Sequence, residues 1–337
     1  MGAKTNIEWA DSSWNCIRGC SRVSEGCRNC YAESVAYRFS GDGQPYEGLA
    51  VLKNGHASWT GNVDWIDKHW EDPLKWGPAK EEWGALGGDV RFRPRRIFVN
   101  SMSDLFHEQV PDNWIDDVFA VMQHAQAKGH IFQILTKRPK RMLEYLSDPY
   151  LYLRLMDRVN YVRGRWPKIP VSPFSDPKTF PLKNVWLGTS VENAKEKHRI
   201  DTLRKVPATI RFLSLEPLLG PLGELDLSGI SWAITGGESG PHARPMGSSW
   251  ADTVREQCET AKVAYFHKQN GEFIDAGHEE FGKLPAGSIT HMKSDGTLWE
   301  DNPPQDENAD VLTMKRVGKK RAGETLYGKV YHEFPTV

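Results

Sequence analysis

Short apolar runs rich in β-branched and aromatic residues alternate with helical stretches along most of this chain, and that alternation limits the fold more than any other feature. The runs that read as strands are Ile97–Asn100, Ile131–Thr136, Val185–Ser190, Ile210–Leu215, Trp232–Thr235 and Ala264–Lys268, with a weaker one at Asn6–Trp9. Helical patterns lie between them, at Tyr31–Phe39, Trp114–Lys128, Arg138–Leu146, Ala194–Lys205 and Ser249–Ala261. Repeated strand and helix predict an α/β fold with a parallel sheet and right-handed crossovers. Runs such as Phe212-Leu213-Ser214-Leu215 are apolar at nearly every position, as strands buried on both faces require.

Two designs satisfy this pattern: an open doubly wound sheet and a full or partial β/α barrel. The strand ends favour the barrel. They carry Asn100-Ser101 with Asp104, Thr136-Lys137-Arg138, Ser190 with Glu192, Ser214 with Glu216, Gly236-Gly237-Glu238-Ser239, and Lys268-Gln269. In a barrel all of these reach one mouth, where active sites sit. The expectation is a partial (β/α) barrel of parallel strands over residues 1–275, with a polar C-terminal extension over 276–337. Two segments interrupt the alternation. One is a Trp- and Gly-rich cover at about 40–93; the other, at about 150–180, holds Pro167, Pro170, Pro173 and Pro177.

Composition narrows the partners. A net charge of −1 gives no general attraction to nucleic acid. The dense basic run Lys315-Arg316 to Lys319-Lys320-Arg321 is the place where DNA or RNA phosphates would bind. Trp59, Trp65, Trp70, Trp76 and Trp83 offer stacking surfaces, although core packing explains most such residues. No run of about 18 apolar residues exists, so no membrane partner is expected. Met1 to Ser13 carries Glu8 and Asp11 and lacks an apolar export core, which points to the cytoplasm.

Of five cysteines, four fall between Cys16 and Cys30, spaced C-x3-C-x6-C-x2-C. Thiols so crowded, in a chain without an export signal, read as metal ligands rather than a disulfide framework. A C-x2-C pair lets one turn direct two sulfurs at one centre. Three readings follow. Cys20, Cys27 and Cys30 hold a [4Fe–4S] cluster with one iron open; all four cysteines hold a structural Zn2+; or the thiols carry no chemistry. A zinc ribbon usually brings two C-x2-C pairs, and here there is one. Cys258 sits in a helical run and reads as a buried small hydrophobe.

Several segments, in order, resemble a phage-associated family of unknown function known for a three-cysteine motif. They include Asn6-Ile7-Glu8-Trp9, Gly19-Cys20 through Gly26-Cys27 to Cys30-Tyr31-Ala32-Glu33, Val99 to Phe106, Leu135 to Pro139, and Trp186 to Asn193. Arg211 to Leu218, Gly236 to Gly240, Ala243-Arg244-Pro245 and Val317-Gly318-Lys319-Lys320 continue the match. That family resembles a divergent branch of the radical S-adenosylmethionine (SAM) enzymes. The resemblance implies a cluster whose open iron chelates the methionine part of SAM, reductive cleavage to a 5′-deoxyadenosyl radical, and an electron donor such as flavodoxin or ferredoxin. A phage context makes nucleic-acid modification or repair the first substrate class. The chain departs from the superfamily's usual C-x3-C-x2-C, because Cys20, Cys27 and Cys30 are spaced C-x6-C-x2-C. Cys16 stands where the family usually has proline and is not expected to ligate.

On that reading Asn100, Ser101 and Asp104 receive the amino group of SAM, and Ser190 and Glu192 hold its ribose or carboxylate. Glu216, costly to bury alone, pairs with Lys137 or Lys268. Gly236 and Gly237 form a cradle for adenosine or phosphate, and Arg244 is an anion fork. Glu216, Glu238 and Lys268 are the candidate acid–base residues. Two other classes stay open: a zinc-stabilised nucleic-acid-binding module without radical chemistry, and a barrel enzyme with structural zinc and ordinary acid–base chemistry.

Overall fold

The computed structural model describes residues 5–83, 89–170, 180–276, 287–299, 303 and 309–336. Seven strands form one sheet: β1 (Ser12–Trp14), β2 (Arg96–Val99), β3 (Ile131–Thr136), β4 (Val185–Ser190), β5 (Ile210–Leu215), β6 (Trp232–Gly236) and β7 (Ala264–Gln269). Their order in the sheet is their order in the chain. A doubly wound sheet reverses its order at a switch point, whereas a barrel wall does not. The sequential order therefore selects the parallel, partial-barrel wrap expected from the sequence. β4 is buried at every position and so is β6, as strands covered on both faces must be.

The chain divides into two compact units, and each is described by itself. The first comprises Met1–Arg22, Ala32–Thr189 and Lys205–Arg211; the second comprises Val23–Tyr31, Ser190–Arg204 and Phe212–Val337. The described residues after Ala276 thus belong with β6 and β7, not to a separate extension.

In the first unit β1 pairs parallel with β2, β2 with β3, and β3 with β4. The first strand is Ser12–Trp14, not Asn6–Trp9, which ends in a turn closed by Ala10 N donating to Ile7 O at 3.0 Å. Asp11 fixes that start: it takes two 2.8 Å bonds from Arg93, and its own amide donates to Arg96 O. Helix α1 (Tyr31–Arg38) follows the cysteine segment, and α2 (Asp112–Ala125), α3 (Pro139–Leu146) and α4 (Leu151–Arg165) cross between strands. Pro139 starts α3, where its missing amide costs nothing. The segment at 150–180, read from the sequence as an insertion into the alternation, begins as the regular helix α4; its Pro173 and Pro177 lie outside the described residues.

The Trp- and Gly-rich cover folds as hairpins, Ala50–Lys53 with His56–Trp59 and Ala79–Trp83 with Asp89–Arg93. Asp64–Trp65 adds itself to Ile17–Arg18 beside the cysteines. Trp59 and Trp70 are buried, and Trp65 packs at 6.1 Å on Trp70 and at 5.6 Å on Trp114. These tryptophans serve packing; the Trp83 side chain lies outside the described ones.

In the second unit β5 pairs with β6 and β6 with β7, in parallel, with helices α5 (His198–Lys205) and α6 (Ser248–Ala261) between strands. The end of the chain closes β7. His267 N donates to Tyr331 O at 2.8 Å and Glu333 N to Tyr265 O at 3.1 Å, while the His332 ring stacks 4.3 Å from Phe266. Covering an edge strand in this way removes a template for aggregation.

Candidate metal centre

The five cysteines fall into two environments. Cys16 and Cys258 have no exposed surface, whereas Cys20, Cys27 and Cys30 are half-buried. Burial pushes the Cys16 thiol far above the ordinary range, and its sulfur lies 3.8 Å from Asn100 Oδ1. A thiol held neutral is a poor ligand, since the thiolate is the metal-binding form. Burial likewise pushes Cys258 up to about 12.

In the first unit Gly19 precedes Cys20 with φ +90°, and a Cβ there would lie 2.1 Å from Asn62 O. Glycine is therefore needed to bring the segment against the cover. The Arg138 guanidinium lies 4.0 Å from Cys20 Sγ and donates to Ser21 Oγ at 2.7 Å and Ser21 O at 3.2 Å. Asp104 holds it at 3.0 Å and Glu108 at 2.8 Å. Burial works against this charge, yet the two carboxylates keep Arg138 well above its usual range. The cation beside the sulfur is thus Arg138. The neighbouring Lys137, singled out from the sequence, is half-buried and gives its backbone amide to Asp104 at 3.2 Å.

Asp104 also accepts from Thr136 Oγ1 at 2.7 Å and Phe106 N at 3.0 Å, so its oxygens meet four donors inside the protein. It organises the loop, and an incoming ammonium would have to displace one of these donors. Asn100 has φ 58° and its amide donates to Trp14 O at 2.7 Å. Ser101 Oγ donates to Asn15 Oδ1 at 3.2 Å, which ties the loop after β2 to the loop after β1. The Nδ2 atoms of Asn15 and Asn100 are buried without a hydrogen-bond partner. Sequence reasoning missed Glu33, which is buried, takes a two-pronged bond from Arg22 and accepts from Trp59 N at 3.2 Å. The Cys30-Tyr31-Ala32-Glu33 run was its only trace.

In the second unit Glu25–Cys27 forms a 3-10 turn, with Cys27 N donating to Ser24 O at 3.0 Å and Cys30 N to Cys27 O at 3.3 Å. Ser24 Oγ lies 3.9 Å from Cys27 Sγ and 3.1 Å from Glu192 Oε1. Glu192 is fully buried against Arg199 at 3.1 Å, and Arg199 also donates to Ser190 O. Glu238 accepts from Asn29 Nδ2 at 2.9 Å and is forked by Arg244. Arg244 therefore binds an anion of the protein itself.

Of the two expected partners of Glu216 it is Lys268 that pairs with it, Nζ donating at 2.8 Å and 3.1 Å, and Gln269 Nε2 adds a third bond at 3.2 Å. The Glu216 and Lys268 side chains are 19% and 15% exposed. Gly236 and Gly237 serve another purpose than cradling. A Cβ on Gly236 would press on Glu216, and one on Gly237 would lie 2.5 Å from Asn270 O. Gly237 N is already spent on Gln269 O at 2.8 Å. Gly236 leaves room for Glu216, and Gly237 lets the loops after β6 and β7 lie against each other.

Among the described residues, no three His, Cys, Asp or Glu side chains already surround one metal position. The donor types nevertheless suit sulfur ligation: an accessible thiol, Cys20, beside the Arg138 guanidinium in the first unit, and two accessible thiols at C-x2-C spacing, Cys27 and Cys30, in the second. Among the described residues no helix is long and apolar enough to cross a membrane. Residues 4–335 match a family model described as a protein of unknown function, DUF5131. No curated protein and no solved structure matches the chain.

Proposed function

The chain belongs to DUF5131, a family whose function is unknown, and from the cysteine environments and the resemblance read in the sequence we propose an iron–sulfur enzyme of the radical SAM type. The observation that carries the proposal is the separation of the thiols: Cys20, Cys27 and Cys30 are accessible, while Cys16 is sealed away as a neutral thiol. Three ligands leave a cluster one open iron; four would close it. The resemblance to the radical SAM superfamily supplies the class, and the sequentially wound parallel sheet is consistent with it.

Cys20, Cys27 and Cys30 would hold the [4Fe–4S] cluster. Bound there, the cluster supplies the electron for reductive cleavage of SAM. Arg138 neutralises part of the charge on Cys20 and is itself fixed by Asp104 and Glu108. Glu216 and Lys268 are the proposed acid–base pair, with Lys268 Nζ donating to Glu216 Oε1 at 2.8 Å. Asp104, Glu192 and Glu238 are committed to protein donors and act by holding loops. Nucleic acid is the proposed substrate class, from the phage-associated resemblance and the exposed Lys319, Lys320 and Arg321. Anaerobically reconstituted protein given SAM and a strong reductant should release 5′-deoxyadenosine. Absence of that product from protein with a full iron complement contradicts the proposal.

The same basic turn favours a second reading, a zinc-stabilised nucleic-acid-binding protein. It requires one zinc per chain and salt-sensitive binding without SAM cleavage.

A further inference from the structure

Glu192 and Glu238 both turn toward the residues that bracket Cys27 and Cys30. Glu192 gives one oxygen to Arg199 at 3.1 Å and the other to Ser24 Oγ at 3.1 Å. Its side chain also fills the space beside Gly26, where a Cβ would come within 2.4 Å of Glu192 Cγ. Glu238 takes Asn29 Nδ2 at 2.9 Å together with the backbone and guanidinium of Arg244. Arg244 in turn reaches Glu25 O at 3.0 Å. Ser24, Glu25 and Asn29 are therefore each hydrogen-bonded to one of two ion pairs, the buried Glu192–Arg199 and the pair of buried Glu238 with half-buried Arg244, and Gly26 packs against the first. Hydrogen bonds donated to such carboxylates are charge-assisted, and removing a partner leaves a buried charge uncompensated.

We propose that Glu192 and Glu238 are positioning residues that preset the Ser24–Asn29 turn and so aim Cys27 and Cys30, with Gly26 required because no side chain fits between the turn and Glu192. Neither carboxylate then serves ribose binding or acid–base chemistry. The purpose of the turn rests on the thiolate centre proposed above; the anchoring itself is a property of the metal-free protein.

The test is site-resolved iodoacetamide labelling of folded, metal-free, full-length protein, with thermal unfolding followed alongside. Gly26→Ala should change the labelling rates of Cys27 and Cys30 by about fivefold, and that of Cys20 by less than about twofold. In a Glu192→Ala background, where the collision is gone, the same change should have an effect under about twofold, because contacting residues are non-additive. If Glu192→Ala does not fold, Ser24→Ala and Asn29→Ala carry the test. Each should raise both rates about threefold, whereas Ser24→Thr, which keeps the hydroxyl, should not. Rates unchanged in all variants, or an equal Gly26→Ala effect in both backgrounds, overturn the anchor. Cobalt(II) uptake by the wild-type protein is read separately. Failure to bind cobalt counts against the thiolate centre, while the labelling result still decides the anchor.

Discussion

Cys16 and Cys258 are kept neutral by burial, and that has two measurable consequences at the scale of single residues. Alkylation of native protein at neutral pH should modify Cys20, Cys27 and Cys30 and spare Cys16 and Cys258, as peptide mapping would show; rapid labelling of Cys16 would contradict its separation from the ligand set. The second consequence is a pH dependence. The unfolded chain releases thiol protons near the ordinary value of about 8.5, whereas the fold retains them. Stability should therefore fall as pH rises above about 9, by up to about 1.4 kcal/mol per pH unit for each buried thiol. Urea unfolding at about pH 8 and pH 10 measures it. His267 gives the mirror image: burial lowers it to about 4, so its contribution is complete above the ordinary histidine value of about 6.5 and is lost as pH falls toward 4. The cysteine spacing made the candidate ligands legible from sequence. The roles of Glu192 and Glu238 were not, because a carboxylate at a strand end reads the same whether it faces a ligand or its own chain. Between Lys137 and Arg138, adjacent in sequence, only the turn after β3 decides which cation meets Cys20.

At the scale of elements, two glycines separate necessity from tolerance. Gly164 lies in α4 with nothing near its missing Cβ, so Gly164→Ala should stabilise the helix by roughly 0.5–1 kcal/mol. Gly237 meets the backbone of Asn270 and Gly271, and Gly237→Ala should destabilise by about 1–3 kcal/mol by forcing apart the loops after β6 and β7. Thermal unfolding distinguishes them, with a rise for the first and a fall for the second. The regular elements were largely readable: β3, β4 and β5 coincide with their apolar runs because strands buried on both faces are mostly apolar. β1 escaped because Ser12-Ser13-Trp14 has no β-branched residue. Its pairing with β2 and the lock from Asp11 to Arg93 fix it instead.

At the scale of the molecule, the C-terminus belongs to the sheet. Phe334 packs 5.2 Å from Trp232, whose Nε1 donates to Glu333 O, and residues 331–333 bond to β7. Deleting residues 331–337 should cost roughly 2–4 kcal/mol, since each of several hydrogen bonds contributes about 1 kcal/mol, and should promote aggregation through the uncovered edge. This docking was not legible because the covering segment, Tyr331 to Phe334, is no strand but meets β7 through an isolated bridge at His332, and the chain before it is polar from Ala276 to about Val311. The central claim, a centre held by three thiolates with Cys16 excluded, is tested most directly by iron and sulfide analysis of anaerobically purified wild-type, Cys16→Ser and Cys27→Ser proteins. It predicts about four irons per chain in the first two and loss of iron in the third. One zinc per chain, or iron lost on replacing Cys16 alone, would contradict it.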